Sequence, residues 1–281
     1  MLVSMRFWVS EQGGLVDAAD ARVSVLDHGF TVADGVFETL KVTDGVAFAL
    51  TRHLDRLSRS ASLMGLPSPD PTIVRSAVEQ TIEANAAHLT GLARLRITYT
   101  AGVAPLGSDR GESGTTLVVA LSPMSAWPDS TAAVTVAWPR NERGALAGIK
   151  STSYADNVLA LAHAHARGAG EALMPDTRGL LCEGTGSNVF LVLEGQLITP
   201  SLATGCLPGV TRALVLEWSD AMEVDHPMEV LGLAEEIFLT SSTRDIQPVH
   251  RVNESGLPSP GPTTAAVMAE FAQRASDDID P

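Results

Sequence analysis

Of the nineteen basic side chains in this 281-residue chain, seventeen are arginine and only two, Lys41 and Lys150, are lysine. An arginine guanidinium keeps its proton at any workable pH. An ε-amine gives its proton up when desolvated or set beside another cation, and can then attack a carbonyl. Lys150 stands in GALAGIKSTSYADNVLALAHAHARGAGEAL, and a lysine kept there marks a candidate imine-forming nucleophile. The competing reading is a surface charge.

Three further features suit a phosphorylated aldehyde cofactor. LPGVTR offers backbone amides and the Thr211 hydroxyl at the start of a predicted helix, where the dipole favours a phosphate. Arg56, in RHLDRLSRSA, can grip a phosphate through two nitrogens, although a solvated charged helix face explains the same pattern. Glu183, in LCEGTGSNVF, ends a strand where a carboxylate could face a pyridinium nitrogen and keep the ring an electron sink. An ordinary turn glutamate is the alternative.

Five blocks in order, LDHGFTVADGVFETLKV, RHLDRLSRSA, IKSTSYADNVLALAHAHARGAGEAL, LCEGTGSNVFLV and LITPSLATGCLPGVTR, resemble the class IV aminotransferases. These are the fold-type IV enzymes of pyridoxal 5′-phosphate, and the likeness runs from about Val23 to Val249. It implies that Lys150 is the Schiff-base lysine and Glu183 the partner of the pyridine nitrogen. It assigns Arg56, Val210 and Thr211 to the phosphate, and Tyr154 to the phenolic oxygen. Ser241 and Ser242 fall where relatives approach the phosphate and the substrate carboxylate, with Thr243 beside them on the substrate side. The implied architecture is an α/β (α+β) fold of two domains, a small N-terminal α/β domain and a larger C-terminal pseudo-barrel. The cofactor is expected between them, in a homodimer whose pocket a neighbour's loop completes.

The same resemblance implies amino transfer from an amino acid to a 2-oxo acid such as 2-oxoglutarate or pyruvate. Arg96, on the strand RLRITYTAG, is the expected carboxylate ligand, with Arg94 exposed or structural. D-amino acids are favoured as donors. Yet the best-known D-specific enzymes carry a tyrosine where this chain has Phe37, and an Arg and a His where it has Thr100-Ala101-Gly102. His28, where many relatives have arginine, has two open roles: a carboxylate ligand reaching a partner's pocket, or a turn cap. Aminodeoxychorismate lyase is the runner-up activity, followed by branched-chain L-amino-acid or (R)-amine transamination. A non-catalytic phosphate-binding protein would have lost Lys150 or Glu183, and both are present.

These residues need elements to hold them. Alternating runs on either side of Thr43-Asp44-Gly45-Val46 predict a hairpin. Leu54, Leu57, Ala61 and Met64 recur at helical spacing, closed by Gly65 and Pro67, and a second helix is expected from Pro71 to Ala86. The stretch EQGGLVDAADARVSVLDHGF reads as turns. After the strands ARLRITYT and TTLVVALS, the aperiodic PMSAWPDST predicts a linker over 123–131, between a domain at 1–122 and one at 132–281. The second domain is expected to hold a helix from Tyr154 to Arg167, a helix from PGVTR, a strand hairpin turning at Glu194-Gly195, the strands EIFLTSS and PVHRVN, and a last helix at Thr263 to Ala275.

Composition narrows the partners. With 45% hydrophobic and 19% charged residues the chain reads as a soluble globular protein, and a formal net charge of −14 opposes nucleic acid and anionic membrane alike. Cys182 and Cys206 lack metal-ligand spacing and read as reduced thiols. The opening MLVSMRFWVSEQGG lacks the apolar core of a signal peptide, so a cytoplasmic protein without a metal is expected.

Overall fold

A computed structural model describes residues 5–89 and 91–281. Residues 1–4, part of the stretch read above as lacking a leader, lie outside the described residues, as does residue 90. The chain divides into two compact units. One comprises residues 1–125, 149–153 and 279–281, the other 126–148 and 154–278. The Lys150 segment, counted with the second domain from sequence, therefore clusters with the first unit.

The first unit is a six-stranded antiparallel sheet with helices on one face. Its strands are β1 (Arg6–Val9), β2 (Gly14–Asp17), β3 (Gly35–Thr43), β4 (Val46–Ala47), β5 (Leu92–Thr100) and β6 (Thr116–Pro123), in the order β2-β1-β6-β5-β3-β4. The β3–β4 turn has Asp44 at φ 48 and Gly45 at φ 82, the left-handed pair that a tight hairpin requires. The second strand of the β1–β2 hairpin lies in the stretch read from sequence as turns. Four-residue strands leave too few alternations to register as a period of two. That stretch also hides α1 (His28–Thr31), a single turn capped by Asp27, whose carboxylate accepts from the Gly29 amide at 2.7 Å.

Side-chain alternation decides which face of this sheet meets the core. Along β5, Ala93, Leu95, Ile97 and Tyr99 are buried while Arg94 and Arg96 are exposed. The apolar face packs against α2 (Leu50–Leu63) and α3 (Pro71–Ala84), where Leu54, Leu57, Ala61, Val74 and Val78 join Leu40, Leu95 and Val119 in one core. The first helical residues of α2 follow Ala49, which has no capping side chain. Asp280 supplies one, accepting from the Thr51 amide at 2.7 Å and from its hydroxyl at 2.6 Å.

The second unit holds β7 (Thr131–Thr135), α4 (Ala155–His165), β8 (Glu171–Pro175), β9 (Leu181–Gly184), β10 (Asn188–Leu193), β11 (Gln196–Thr199), α5 (Val210–Trp218), β12 (Met222–Glu223), β13 (Glu236–Ser241), β14 (Asp245–Val252), β15 (Ser255–Gly256) and α6 (Pro262–Asp277). The strands run β12-β11-β10-β13-β14-β7-β8-β9, with β15 on β14. In a flat sheet β9 and β10 would lie five strand spacings, about 24 Å, apart. Only residues 185–187 join them, a span of at most about 15 Å. The sheet must curl, which gives the pseudo-barrel form. Phe190 and Phe238 pair across β10 and β13 with stacked rings 4.9 Å apart. Ala160 and Ala164 of α4 pack on Val134, Ala172 and Met174. Among the described residues no helix is long and apolar enough to cross a membrane.

Candidate active site

Within the first unit the Lys150 segment lies against β3. The Phe37 amide donates to the Lys150 carbonyl at 3.0 Å, Ser151 bridges Val36, and the Thr152 amide donates to Gly35 at 2.8 Å. Strand pairing thus fixes the lysine's backbone while its side chain remains half-buried. The Lys150 Nζ lies 4.3 Å from the centre of the Phe37 ring, and the Arg96 guanidinium carbon lies 3.8 Å from the same centre. Cation–π attraction contributes about 0.5–1 kcal/mol for an exposed cation such as Arg96. More important is the geometry: one aromatic ring is in contact with both an amine and a guanidinium fork. Phe37 and Arg96 reach that face because neighbouring strands pair Phe37 with Thr98 and Thr39 with Arg96.

One residue on, Glu38 points to the opposite face of β3 and is fully buried. Its carboxylate accepts from Arg56 Nε at 2.8 Å and Nη2 at 2.6 Å, and stands 2.6 Å from His53 Nδ1. Burial pushes the Glu38 carboxyl up, but the Arg56 charge and hydrogen bonds, with help from His53, outweigh it and hold it at about 2. For His53 the balance is opposite. Burial lowers its pKa, and the attraction of Glu38 only partly offsets that. Arg56, a suspected solvated helix residue, is buried, so the surface explanation of it fails.

His28 is fully buried. Its Nδ1 faces Asp34 at 3.5 Å and its Nε2 faces the Pro105 carbonyl at 3.3 Å. Asp34 is in turn held by Arg110 through two hydrogen bonds of 2.7 Å. The imidazole therefore belongs to the packing of its turn, and the structure gives it no open face for a carboxylate.

The second unit carries the remaining predicted residues. Glu183, on β9, is buried, accepts from the Leu207 amide at 2.9 Å and lies 3.0 Å from Arg140 Nε. Gly209 begins α5 with no capping side chain, and Val210 and Thr211, in the first turn, are both buried. A β-carbon at 209 would collide with the Asn188 side chain and displace it from the Leu207 carbonyl, to which its amide donates at 2.8 Å. Tyr154 stands at the start of α4. Ser241 ends β13, and Ser242 and Thr243 lie in the turn to β14, where the Arg244 amide donates to Ser241 O at 3.1 Å and to its hydroxyl at 3.3 Å.

Taken unit by unit, the chemistry of these donors suits pyridoxal phosphate. There is a primary amine, a buried carboxylate already paired with an arginine, and a helix N-terminus whose first amides no side chain caps, the usual seat for a phosphate. Sequence reasoning missed Glu38, His53 and Arg140. Glu38 left a signal, a carboxylate in phase with the buried Val36, Leu40 and Val42, and His53 left another on the apolar stripe of α2. Arg140, in an irregular loop, left none. The two cysteines are buried free thiols, and burial pushes Cys206 up to about 11 and Cys182 higher still.

Residues 35–252 match the family model for the class IV amino-transferases. A Methanocaldococcus jannaschii protein, provisionally assigned as a branched-chain-amino-acid aminotransferase, is 34% identical over 86% of this chain and 86% of its own length. A Mycobacterium tuberculosis protein described as a bifunctional aminodeoxychorismate lyase / D-amino acid transaminase is 33% identical over 86% of this chain and 89% of its own. Among solved structures, a hypothetical aminotransferase from Mycobacterium tuberculosis in its PLP-bound form superposes with a TM-score of 0.87 at 28% identity, covering 97% of this chain and all of that one.

Proposed function

The chain belongs to the class IV aminotransferases, whose cofactor is pyridoxal 5′-phosphate, and on that premise we propose that it moves the amino group of apolar, branched-chain L-amino acids onto 2-oxo acids. The observation that carries the reading is the sharing of the Phe37 ring by Lys150 and Arg96. A guanidinium binds a carboxylate bidentately. Resting on the same ring as the amine, it would select substrates that carry an α-carboxylate.

The bound cofactor supplies an electron-withdrawing ring that acidifies the substrate α-carbon. Lys150 would hold it covalently through Nζ, and the same Nζ, once displaced by the substrate's amine, would carry the α-proton as general base and acid. Glu183, held by Arg140 and the Leu207 amide, would keep the proton on the ring nitrogen. Arg56, oriented by Glu38, and Val210 and Thr211 would bind the phosphate, with Ser241 and Ser242 as further candidate ligands. Tyr154 would donate to the phenolic oxygen, and Thr243 would serve the substrate side. His28 has no part in this assignment.

The sequence favoured D-amino acids. Two observations move branched-chain donors ahead of them. One is the relative from Methanocaldococcus jannaschii. The other is the state of the D-specific positions: Phe37 replaces the tyrosine, the Thr100 hydroxyl donates to Asp27 at 3.0 Å, and the Gly102 carbonyl accepts from the His28 amide at 2.9 Å. Those groups serve the loop. D-alanine transamination with lyase activity is the second reading, supported by the bifunctional Mycobacterium tuberculosis relative.

A homodimer completes the proposal. Val25 and Phe30, each 73% exposed, and Leu106, 77% exposed, are large apolar side chains of the first unit that a second copy would cover. One panel separates the activities: L-leucine and D-alanine, each with 2-oxoglutarate, and aminodeoxychorismate alone. Faster glutamate formation from L-leucine supports the proposal. Release of 4-aminobenzoate, or preference for D-alanine, overturns it in favour of the second reading.

A further inference from the structure

A buried ion pair with no part in the proposed chemistry joins two loops of the second unit. Glu171 opens β8 and is fully buried. Its Oε1 accepts from the Thr185 amide at 2.9 Å and from the Thr185 hydroxyl, and its Oε2 accepts from the Ser187 hydroxyl at 2.9 Å. The fit is close enough that a β-carbon on Gly184 would collide with the Ser187 hydroxyl and crowd the Glu171 carboxyl. Arg244 Nη2 lies 3.3 Å from Oε2 and donates to the Gly170 carbonyl at 3.3 Å. Its guanidinium carbon lies 4.3 Å from the centre of the Trp127 ring.

Each end of this pair leads to a proposed contact. Arg244 is the last residue of the 242–244 turn, its amide bound to Ser241. At the other end, the Thr185 carbonyl accepts from Asn157 Nδ2 at 2.5 Å, and Asn157 Oδ1 accepts from Arg140 Nη1 at 3.2 Å. Arg140 is the partner of Glu183. A buried ion pair is seldom more stabilising than apolar residues of the same volume, so its use here is better sought in geometry.

We propose that Glu171 and Arg244 are positioning residues: Glu171 fixes the turn that follows Glu183, and Arg244 transmits that fixed point to the turn bearing Ser242 and Thr243. The inference rests on the transaminase reading, in which these two residues approach the cofactor phosphate and the substrate carboxylate. Loosening the turn then weakens the grip on both anions without touching the amine that does the chemistry.

The test uses Arg244→Leu and Arg244→Lys. For each, absorbance titration gives the pyridoxal phosphate dissociation constant, and steady-state rates give the 2-oxo acid KM and kcat. Arg244→Leu is expected to raise the dissociation constant and KM by about tenfold each, as the weakening of about one hydrogen bond to a charged group does, while kcat stays within about threefold. Arg244→Lys should fall between Leu and wild type. Unchanged dissociation constant and KM in the Leu variant, or a loss confined to kcat, would overturn the proposal. If Arg244→Leu does not fold, Arg244→Lys decides, with wild-type cofactor affinity as the contrary result. A wild-type protein that transfers no amino group would instead defeat the transaminase reading, and the dissociation constants would still judge the network.

Discussion

The Arg56 guanidinium lies on the buried Glu38 carboxylate through both Nε and Nη2, at 2.8 and 2.6 Å. Two bonds in one plane fix the orientation of the fork, which a single bond would leave free to swing. The proposed phosphate ligand is thereby set by a strand residue adjacent to Phe37.

Glu38→Gln keeps the shape and removes the charge. Breaking a buried pair on one side leaves the other charge uncompensated, so the variant should lose about 3 kcal/mol of stability. Its affinity for pyridoxal phosphate should fall as well, because the Arg56 fork is no longer held. Thermal unfolding without cofactor and a cofactor titration check the two effects separately.

The same cluster sets a pH dependence. Glu38 is held at about 2 against an ordinary 4.5, so its contribution is complete above pH 4.5 and is lost as the pH falls towards 2. His53 is lowered from 6.5, so the folded state binds fewer protons than the unfolded chain just below that pH. Its contribution is complete above 6.5 and declines as the medium acidifies past it. Melting temperature should therefore drop in two stages, below 6.5 and again below 4.5, with His53→Gln removing the first. A melting temperature that stays level down to pH 4 would contradict this.

Arg96→Ala tests carboxylate recognition. The loss of one bidentate charge-assisted contact should raise the KM for amino and oxo acids by about tenfold or more, equivalent to about 1.5–3 kcal/mol. Turnover of an amine lacking a carboxylate should be little changed. Equal losses for both substrate types would assign Arg96 a structural role.

How far the sequence revealed this site depends on the element that carries each residue. Lys150 was legible because its chemistry excludes arginine, and Leu54, Leu57 and Ala61 exposed α2 by their spacing. The partners of these residues were not. Arg56 looked like one of several arginines on a wet helix face, since its burial depends on Glu38, eighteen residues away on another element. His28 shows the same limit, because its ring is occupied by Asp34 and by Pro105, a loop 77 residues distant. The curl of the second sheet follows from a strand order that local patterns do not encode, although the 185–187 turn demands it once the order is known.

Phe30→Ser addresses association. If the exposed Val25, Phe30 and Leu106 meet a second copy, sedimentation should show a dimer for the wild type and a shift towards monomer for the variant. A fully active wild-type monomer would remove the neighbour's loop from the account.

Lys150 itself offers the most direct measurement. The holoprotein, reduced with borohydride and digested, should yield one pyridoxyl-labelled peptide, with the label on Lys150 and none on Lys41. Lys150→Arg should carry no label and transfer amino groups about 10⁴-fold more slowly, the range expected when a general base is removed. A label on any other residue, or an unlabelled Lys150 in an active preparation, would contradict the central claim.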